Sequence, residues 1–278
     1  MAVPNKMTRL AIDVGNTTMS FGVFRNGRLA HRFTLPTHPL RSSKALAKDL
    51  RAVSAARRNA LAVVERTIFC SVVPSATAAL KGALRELTGQ PVCVVGQDLH
   101  VPLTNRYTYP EQVGQDRLVG AYAAWKLYGQ GRGAGGVGRG KDCIVCDFGT
   151  AITIDVVTKT GEYLGGIIAP GLDISLEVLA TRTALLPQVE LRKPPELLGR
   201  DTANSIRSGI VYGCAALCDG LVSQLKRSYA PNAVVVATGG DSSLITSYTH
   251  TIDHVKPHLV LSGLNQLSSV RNYPLNKS

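Results

Sequence analysis

Two short stretches of this 278-residue chain crowd hydrogen-bonding groups into places where apolar runs meet. The first is Asp13-Val14-Gly15-Asn16-Thr17-Thr18, between RLAI and MSFGVF. The second, 134 positions on, is Asp147-Phe148-Gly149-Thr150, between CIVC and AITIDVV. Each sets an acid ahead of a glycine and a hydroxyl or amide. Such a turn can cradle phosphate oxygens. Glycine lets the backbone approach a ligand closely, and main-chain N–H groups and the side chains of Asn16, Thr17 and Thr18 can donate to it. Asp13 can hold a hydrated Mg²⁺, an ion that prefers oxygen ligands. One such turn is ordinary hairpin chemistry. Two at equivalent places point to a nucleotide gripped by its phosphates.

A third cluster runs from Asn105 through Arg106, Tyr107, Thr108, Tyr109 and Pro110 to Gly114, Gln115, Asp116 and Arg117. Asp116 and Arg117 fall in the first turns of an expected helix, where an acid suits the helix dipole. Gly114 also permits a ligand to come close. A carboxylate beside a fixed cation suits a substrate that carries a hydroxyl and an anionic group. Two further glycine motifs are decoys. Gly131, Gly133 and Gly136 fit G-x-G-x-x-G, and Gly135, Gly140 and Lys141 fit a partial Walker pattern. Both need a strand before and a helix after, and here the order is reversed. Asp142 also stands where Ser or Thr should meet Mg²⁺.

The elements that must position these turns follow from periodicity and turn residues. Strands are expected over 9–14 and 17–24, joined at Gly15-Asn16, and over 28–34 after Asn26-Gly27. Then come a helix over 43–57, a strand over 64–73, a helix over 75–88 capped by Ser75, a short strand ending at Gly96 and a helix over 111–128. Residues 129–142, GQGRGAGGVGRGKD, read as a glycine-rich linker loop. The pattern then restarts, with strands over 142–149, 150–157 and 162–169, a helix after Pro170-Gly171, a long helix over 202–229, a buried strand over 233–238 and a last helix after Gly239-Gly240. A β-β-β-α-β-α order thus occurs twice, a domain-sized repeat. The expected architecture is α/β, with an N-terminal lobe over 1–128, the linker over 129–142, a C-terminal lobe over 143–278 and a ligand cleft between the lobes.

The chain carries 31 basic and 19 acidic residues, a net charge of +12. That suits anionic ligands. The basic residues are scattered and not interleaved with aromatics, so they read as solvated surface rather than a nucleic-acid footprint. No apolar run reaches the ~18–20 residues expected of a membrane span, and the first residues do not read as a secretory signal, so the expectation is a cytoplasmic protein without a membrane partner. The C-x-x-C at Cys143 and Cys146 lies on an expected strand, where residues three apart face opposite ways and cannot share a metal. Cys70, Cys93, Cys214 and Cys218 read as reduced structural thiols, and His250, His254 and His258 as surface or turn residues.

Taken in order, DVGNT at 13–17, GQDR at 114–117, DFGTAIT at 147–153, GGIIAPG at 165–171, GRDT at 199–202 and TGGD at 238–241 resemble the type III pantothenate kinases. These belong to the actin, Hsp70 and sugar kinase superfamily, and the resemblance covers essentially the whole chain. It implies two RNase H-like (actin-like ATPase) lobes and the ATP-dependent phosphorylation of pantothenate to 4′-phosphopantothenate, the first step towards coenzyme A. On that likeness, residues 13–20 (Asp13, Val14, Gly15, Asn16, Thr17, Thr18, Met19 and Ser20) are the ATP phosphate loop. Thr150 is a second phosphate contact, and Gly239 and Gly240 lie near adenosine. Asp147 is similar to the family's ligand for K⁺ or NH₄⁺. Gly114, Gln115, Asp116 and Arg117 resemble the pantothenate motif, with Asp116 as proton acceptor, and Tyr107 and Thr202 match further pantothenate contacts. The family is dimeric, and Thr202 matches a residue that reaches the neighbouring subunit's site. The glycine-rich segment and the high charge depart from the family pattern without touching a matched motif. The same family includes a member named as an accessory factor for bacterial virulence gene expression, so a regulatory, nucleic-acid-binding protein is the competing class. A kinase of the same fold acting on another small alcohol or acid is the second.

Overall fold

The strand TRLAIDV is buried along nearly its whole length, as a central strand is, with Leu10, Ile12 and Val14 on one face and Arg9, Ala11 and Asp13 on the other. In the computed structural model, which describes residues 7–57, 60–130 and 140–270, the elements in chain order are as follows. The first half has β1 (Thr8–Val14), β2 (Thr18–Arg25), β3 (Arg28–Pro36), α1 (Ser43–Ala55), β4 (Arg66–Ser71), α2 (Pro74–Thr88), β5 (Val92–Val94), β6 (Thr104–Asn105) and α3 (Gln115–Ala124). The second has β7 (Cys143–Phe148), β8 (Ala151–Val157), β9 (Glu162–Pro170), α4 (Leu172–Arg182), α5 (Thr202–Ser228), β10 (Val234–Thr238), α6 (Ser242–Ile245), β11 (His254–Val255) and α7 (Leu259–Leu267).

The first sheet runs β3-β2-β1-β4-β5 and the second β11-β10-β7-β8-β9-β6. In each, three antiparallel strands made by consecutive hairpins continue into two parallel ones. Strand for strand, β1 to β5 correspond to β7, β8, β9, β10 and β11, so the repeat read from the sequence is a repeat of topology. The short β6 adds an edge to the second copy.

By its internal contacts the chain divides into two units. One comprises Met1–Pro102, Gln112–Ala123 and Val260–Ser278; the other comprises Leu103–Glu111 and Ala124–Leu259. These bounds differ from the lobe boundaries at 128 and 143 expected from the sequence. Residues 131–139 of the expected linker lie outside the described residues.

In the first unit Leu10, Ile12 and Val14 of β1 join Phe21, Phe33 and Phe69 in a core closed by Leu46 and Leu50 of α1 and Leu80 and Leu84 of α2. Strand alternation sends Asp13 to the opposite face. In the second, Ile144, Cys146 and Phe148 of β7 and Ile152, Ile154 and Val156 of β8 pack on Val211, Ala215, Cys218 and Val222 of α5. A buried Val or Leu at such a position contributes about 1.5–3 kcal/mol. Asp147 is again left on the other face.

Three local expectations need correction. Ser75 does not cap α2: the N-cap is Val73, and Pro74 opens the helix, where its missing N–H costs nothing. The expected helix over 111–128 begins at Gln115 and passes into a π-helical turn over Trp125–Gly129. The indole N–H of Trp125 there donates to Lys159 O at 2.9 Å. Finally, α5 is long and apolar enough, by length and composition, to cross a membrane. Its charges are sparse and spread along 27 residues, so no continuous apolar run announces it. One face of α5 is spent on the core of its own sheet.

Candidate functional site

Three strand ends and a helix start bring the acids of the first unit together. Asp13, next to last in β1, lies opposite Ser20 of β2 and Cys70 of β4. The Cys70 thiol, fully buried, donates to Asp13 Oδ1 at 3.5 Å. Asp116, at the second position of α3, stands near enough for its charge to act on both. Burial of the Asp13 carboxyl, and then the charge of Asp116, push it up to about 7, against a smaller lowering by the Cys70 hydrogen bond. The Cys70 thiol is also raised, by burial first and then by Asp13 and Asp116, so it is a hydrogen-bond donor and not a nucleophile.

The turn after β1 is closed from two directions. Gly15 N–H donates to Thr18 O at 3.0 Å. Thr37, fully buried just beyond β3, donates its hydroxyl to Gly15 O at 2.7 Å and its N–H to Thr17 O at 2.9 Å. Asn16, Thr17 and Thr18 are left exposed, while Met19 is buried in the core and Ser20 is half-buried. This is a rigid turn with its polar side chains outward. Sequence reasoning had no signal for Thr37, which reaches the turn from across a hairpin.

Around Asp116 the glycine has a different reason from the expected one. A Cβ on Gly114 would lie 2.4 Å from Asp116 Oδ1, so Gly114 makes room for the carboxylate itself. That oxygen accepts the Arg117 N–H at 2.8 Å. Gln115 lies against Gly96, whose φ of +87° admits only a glycine comfortably. Its side chain therefore braces the start of α3 against the end of β5.

In the second unit Asp147 is the penultimate residue of β7, opposite Thr153 of β8 and Thr238 of β10. Gly239 follows β10 with a φ of +93°, and a Cβ there would stand 2.4 Å from both Asp147 Oδ1 and Phe148 O. Gly171 closes on the same turn, with its N–H on Thr150 O at 3.1 Å. A Cβ on Gly171 would fall 2.3 Å from Thr150 O. Asp241 donates its N–H to Phe148 O at 3.1 Å, and its carboxyl is raised by burial and then by the charge of Asp173. So Asp147, Gly149, Thr150 and Gly239 are one cluster, joined by Gly171 and Asp241, which the sequence reading did not single out as site residues. Gly240 has open space around its Cα. Tyr107 lies beside Gly165 of β9. Thr202 is exposed at the first turn of α5, after the N-cap Asp201.

Among the described residues no group of three or more His, Cys, Asp or Glu is placed to hold a metal ion. The donors that do exist are hard oxygens. Asp13, short of positive charge, fits a divalent ion that keeps most of its waters. The carboxylate and carbonyl oxygens gathered at Gly239 fit a larger monovalent one.

A sequence model described as type III pantothenate kinase matches residues 9–224. Similar relatives include type III pantothenate kinase 1 of Symbiobacterium thermophilum, 36% identical over 95% of this chain and 97% of that one. The type III pantothenate kinase of Rubrobacter xylanophilus is 37% identical over 97% and 98%. Among solved structures, a Baf family protein from Campylobacter jejuni superposes with a TM-score of 0.56 at 17% identity, over 93% and 96% of the two chains. MreB 5 of Spiroplasma citri bound to AMPPNP superposes with 0.50 at 11%, over 96% and 97%. These likenesses show the fold, the two-sheet α/β architecture of the actin-like ATPases.

Proposed function

We infer the roles of these residues from one premise: the chain belongs to the type III pantothenate kinase family, enzymes that transfer phosphate to the alcohol of pantothenate in coenzyme A biosynthesis. Its substrates are ATP and pantothenate, and the ATP chemistry brings a divalent metal. The observation that carries the assignment of roles is the nearness of Asp13 and Asp116 in the first unit, close enough for the charge of one to raise the other.

Phosphoryl transfer depends mostly on positioning and on neutralising charge. In our reading the turn from Asp13 to Ser20 receives the phosphates, with its outward Asn16, Thr17 and Thr18 as donors. Asp13 would hold the Mg²⁺ that accompanies ATP, which would supply charge neutralisation there. Thr150 makes the second phosphate contact, Asp147 holds K⁺ or NH₄⁺, and Gly239 and Gly240 lie near adenosine. Asp116 receives the primary hydroxyl of pantothenate. A carboxylate with a reference pKa of about 3.9 is a weak base for an alcohol. In a loose transition state the proton leaves late, so Asp116 orients the hydroxyl first and takes the proton afterwards. Arg117 meets an anionic or polar group of the substrate with Gly114 and Gln115 beside it; by the family resemblance Tyr107 is a further pantothenate contact, and Thr202 one made to the neighbouring subunit's substrate.

A substrate panel in a coupled ADP-release assay tests this reading. Pantothenate is expected to turn over and other small alcohols and acids are not. Replacing K⁺ or NH₄⁺ by Na⁺ is expected to cut turnover to a small fraction, and indifference to the cation would sink the assignment of Asp147.

The family resemblance also suggests a homodimer. Its support in the second unit is an exposed apolar surface with Leu197 and Leu198 at 65% and 72% exposure beside Gly209, Tyr212 and Gly213. Both glycines belong to α5 and have open space above them. Thr202 begins the same helix. Sedimentation equilibrium is expected to give twice the mass of one chain, and Leu198→Glu to shift it towards one; a monomeric parent protein would remove the proposal. The same reading places the enzyme in the cytoplasm, where ATP is made and used.

A further inference from the structure

We propose that the hydrogen-bonded trio of buried Tyr163 and Asp155 with half-buried Thr153 is a positioning device for Tyr107, and that it governs pantothenate binding without touching the substrate. The inference rests on the reading of Tyr107 as a pantothenate contact.

Asp155 lies in β8, 2% exposed. Its neighbours Ile154 and Val156 face the α5 core, so its own side chain points to the other face, the one that carries Asp147. The hydroxyl of Tyr163, a residue with no exposure at all, donates to Asp155 Oδ1 at 2.6 Å. The Thr153 hydroxyl donates to Oδ2 at 3.2 Å. A buried carboxylate is costly unless hydrogen-bonded. An apolar residue at this place would satisfy the core with less, which makes a positional role the better account of an acid.

What the trio positions is the neighbourhood of Tyr107. Strand β6 is only two residues long and is held in place by the stretch 161–163. Thr104 N–H donates to Gly161 O, and Arg106 N–H to Tyr163 O, each at 2.9 Å. The Arg106 guanidinium adds bonds of 2.9 and 2.7 Å to Glu162 Oε1. Immediately past Tyr163 the β8–β9 register shifts: Val157 faces Tyr163 while Val156 faces Gly165, with Leu164 skipped. The irregularity leaves Gly165 at a φ of +125°, and the ring of Tyr107 lies 3.4 Å from where a Cβ on Gly165 would stand. Tyr163 therefore touches both supports of Tyr107. Its carbonyl holds the preceding amide, and its side chain pins the strand next to the glycine platform. Asp155 fixes that side chain, and Thr153 fixes Asp155.

The test is Tyr163→Phe, which removes one oxygen. A hydrogen bond to a charged group carries enough free energy for the KM for pantothenate to rise about tenfold. The KM for ATP is expected to stay within about twofold, since uniform loss of binding to one substrate leaves the other untouched. In the substrate-free protein, hydrogen exchange at residues 104–107 is expected to quicken. Asp155→Asn keeps an acceptor oxygen and is expected to give a smaller change of the same kind; it serves if the first variant does not fold. Unchanged exchange at 104–107 overturns the proposal, and so does a KM rise shared equally by ATP. Tyr107→Ala separates the proposal from its premise. If that variant keeps its KM for pantothenate while Tyr163→Phe still loosens 104–107, the substrate role of Tyr107 fails and the positioning stands.

Discussion

Asp116→Asn is expected to lower kcat about a thousandfold while leaving the KM for ATP nearly unchanged, the size of effect seen when a positioned acid–base group is lost. The substitution is mild for the fold. Asparagine keeps the carbonyl oxygen that accepts the Arg117 N–H, and it fits the space that Gly114 leaves open. What disappears is the charge that can take a proton, and with it part of the repulsion that raises Asp13. The phosphate turn is closed by bonds of Thr37 and Gly15, which the substitution leaves in place. Loss of turnover with intact ATP binding, at an undiminished melting temperature, therefore belongs to the proton and not to the scaffold. Near-normal ADP release with pantothenate would remove Asp116 from the chemistry.

That two acids 103 positions apart share one site could not be read from their spacing. Each was legible alone: Asp13 by the glycine and hydroxyls after it, Asp116 by its place at a helix start. What joins them is the return of Gln112–Ala123 to the first unit, a long-range packing event that leaves no local mark. The strands and hairpins were plain because Gly15-Asn16 and Asn26-Gly27 break strong apolar runs, and the repeat at Asp147 was plain because the same breaks recur. Residues that act by filling space were harder. Gly239 and Gly171 read as turn glycines, yet each is required because oxygens of the Asp147–Thr150 turn occupy the volume of its missing Cβ. Cys70 read as a small hydrophobe; its burial is as expected, and its bond to Asp13 depends on the parallel register of β1 and β4. The helix expected after Gly239-Gly240 is the four-residue α6, since the glycines before it announce a turn and say nothing of how long the helix lasts.

Asp13→Asn is expected to abolish turnover and, in the protein free of metal and nucleotide, to raise the melting temperature by an amount that grows with pH. The sign follows from linkage. In the folded chain Asp13 is pushed up to about 7, and in the unfolded chain it has the ordinary carboxylate value of 3.8. Between those values the folded state holds a proton that the unfolded state has released, so stability falls as pH rises from about 4 to about 7 and is level above. The span corresponds to roughly 4 kcal/mol as an upper figure, less what solvent at the half-buried carboxyl screens. At about 2–4 °C per kcal/mol in a chain of this size or slightly smaller, the gain should be several degrees at pH 8 and small at pH 4. Mg²⁺ with nucleotide should reverse the order at pH 8. The native carboxylate then acquires the positive partner it lacks, and binding to the folded state alone adds stability that the asparagine variant forgoes. A gain of equal size at pH 4 and pH 8 would mean that the substitution works through packing, and that the charge of Asp13 is not being held in reserve for a cation.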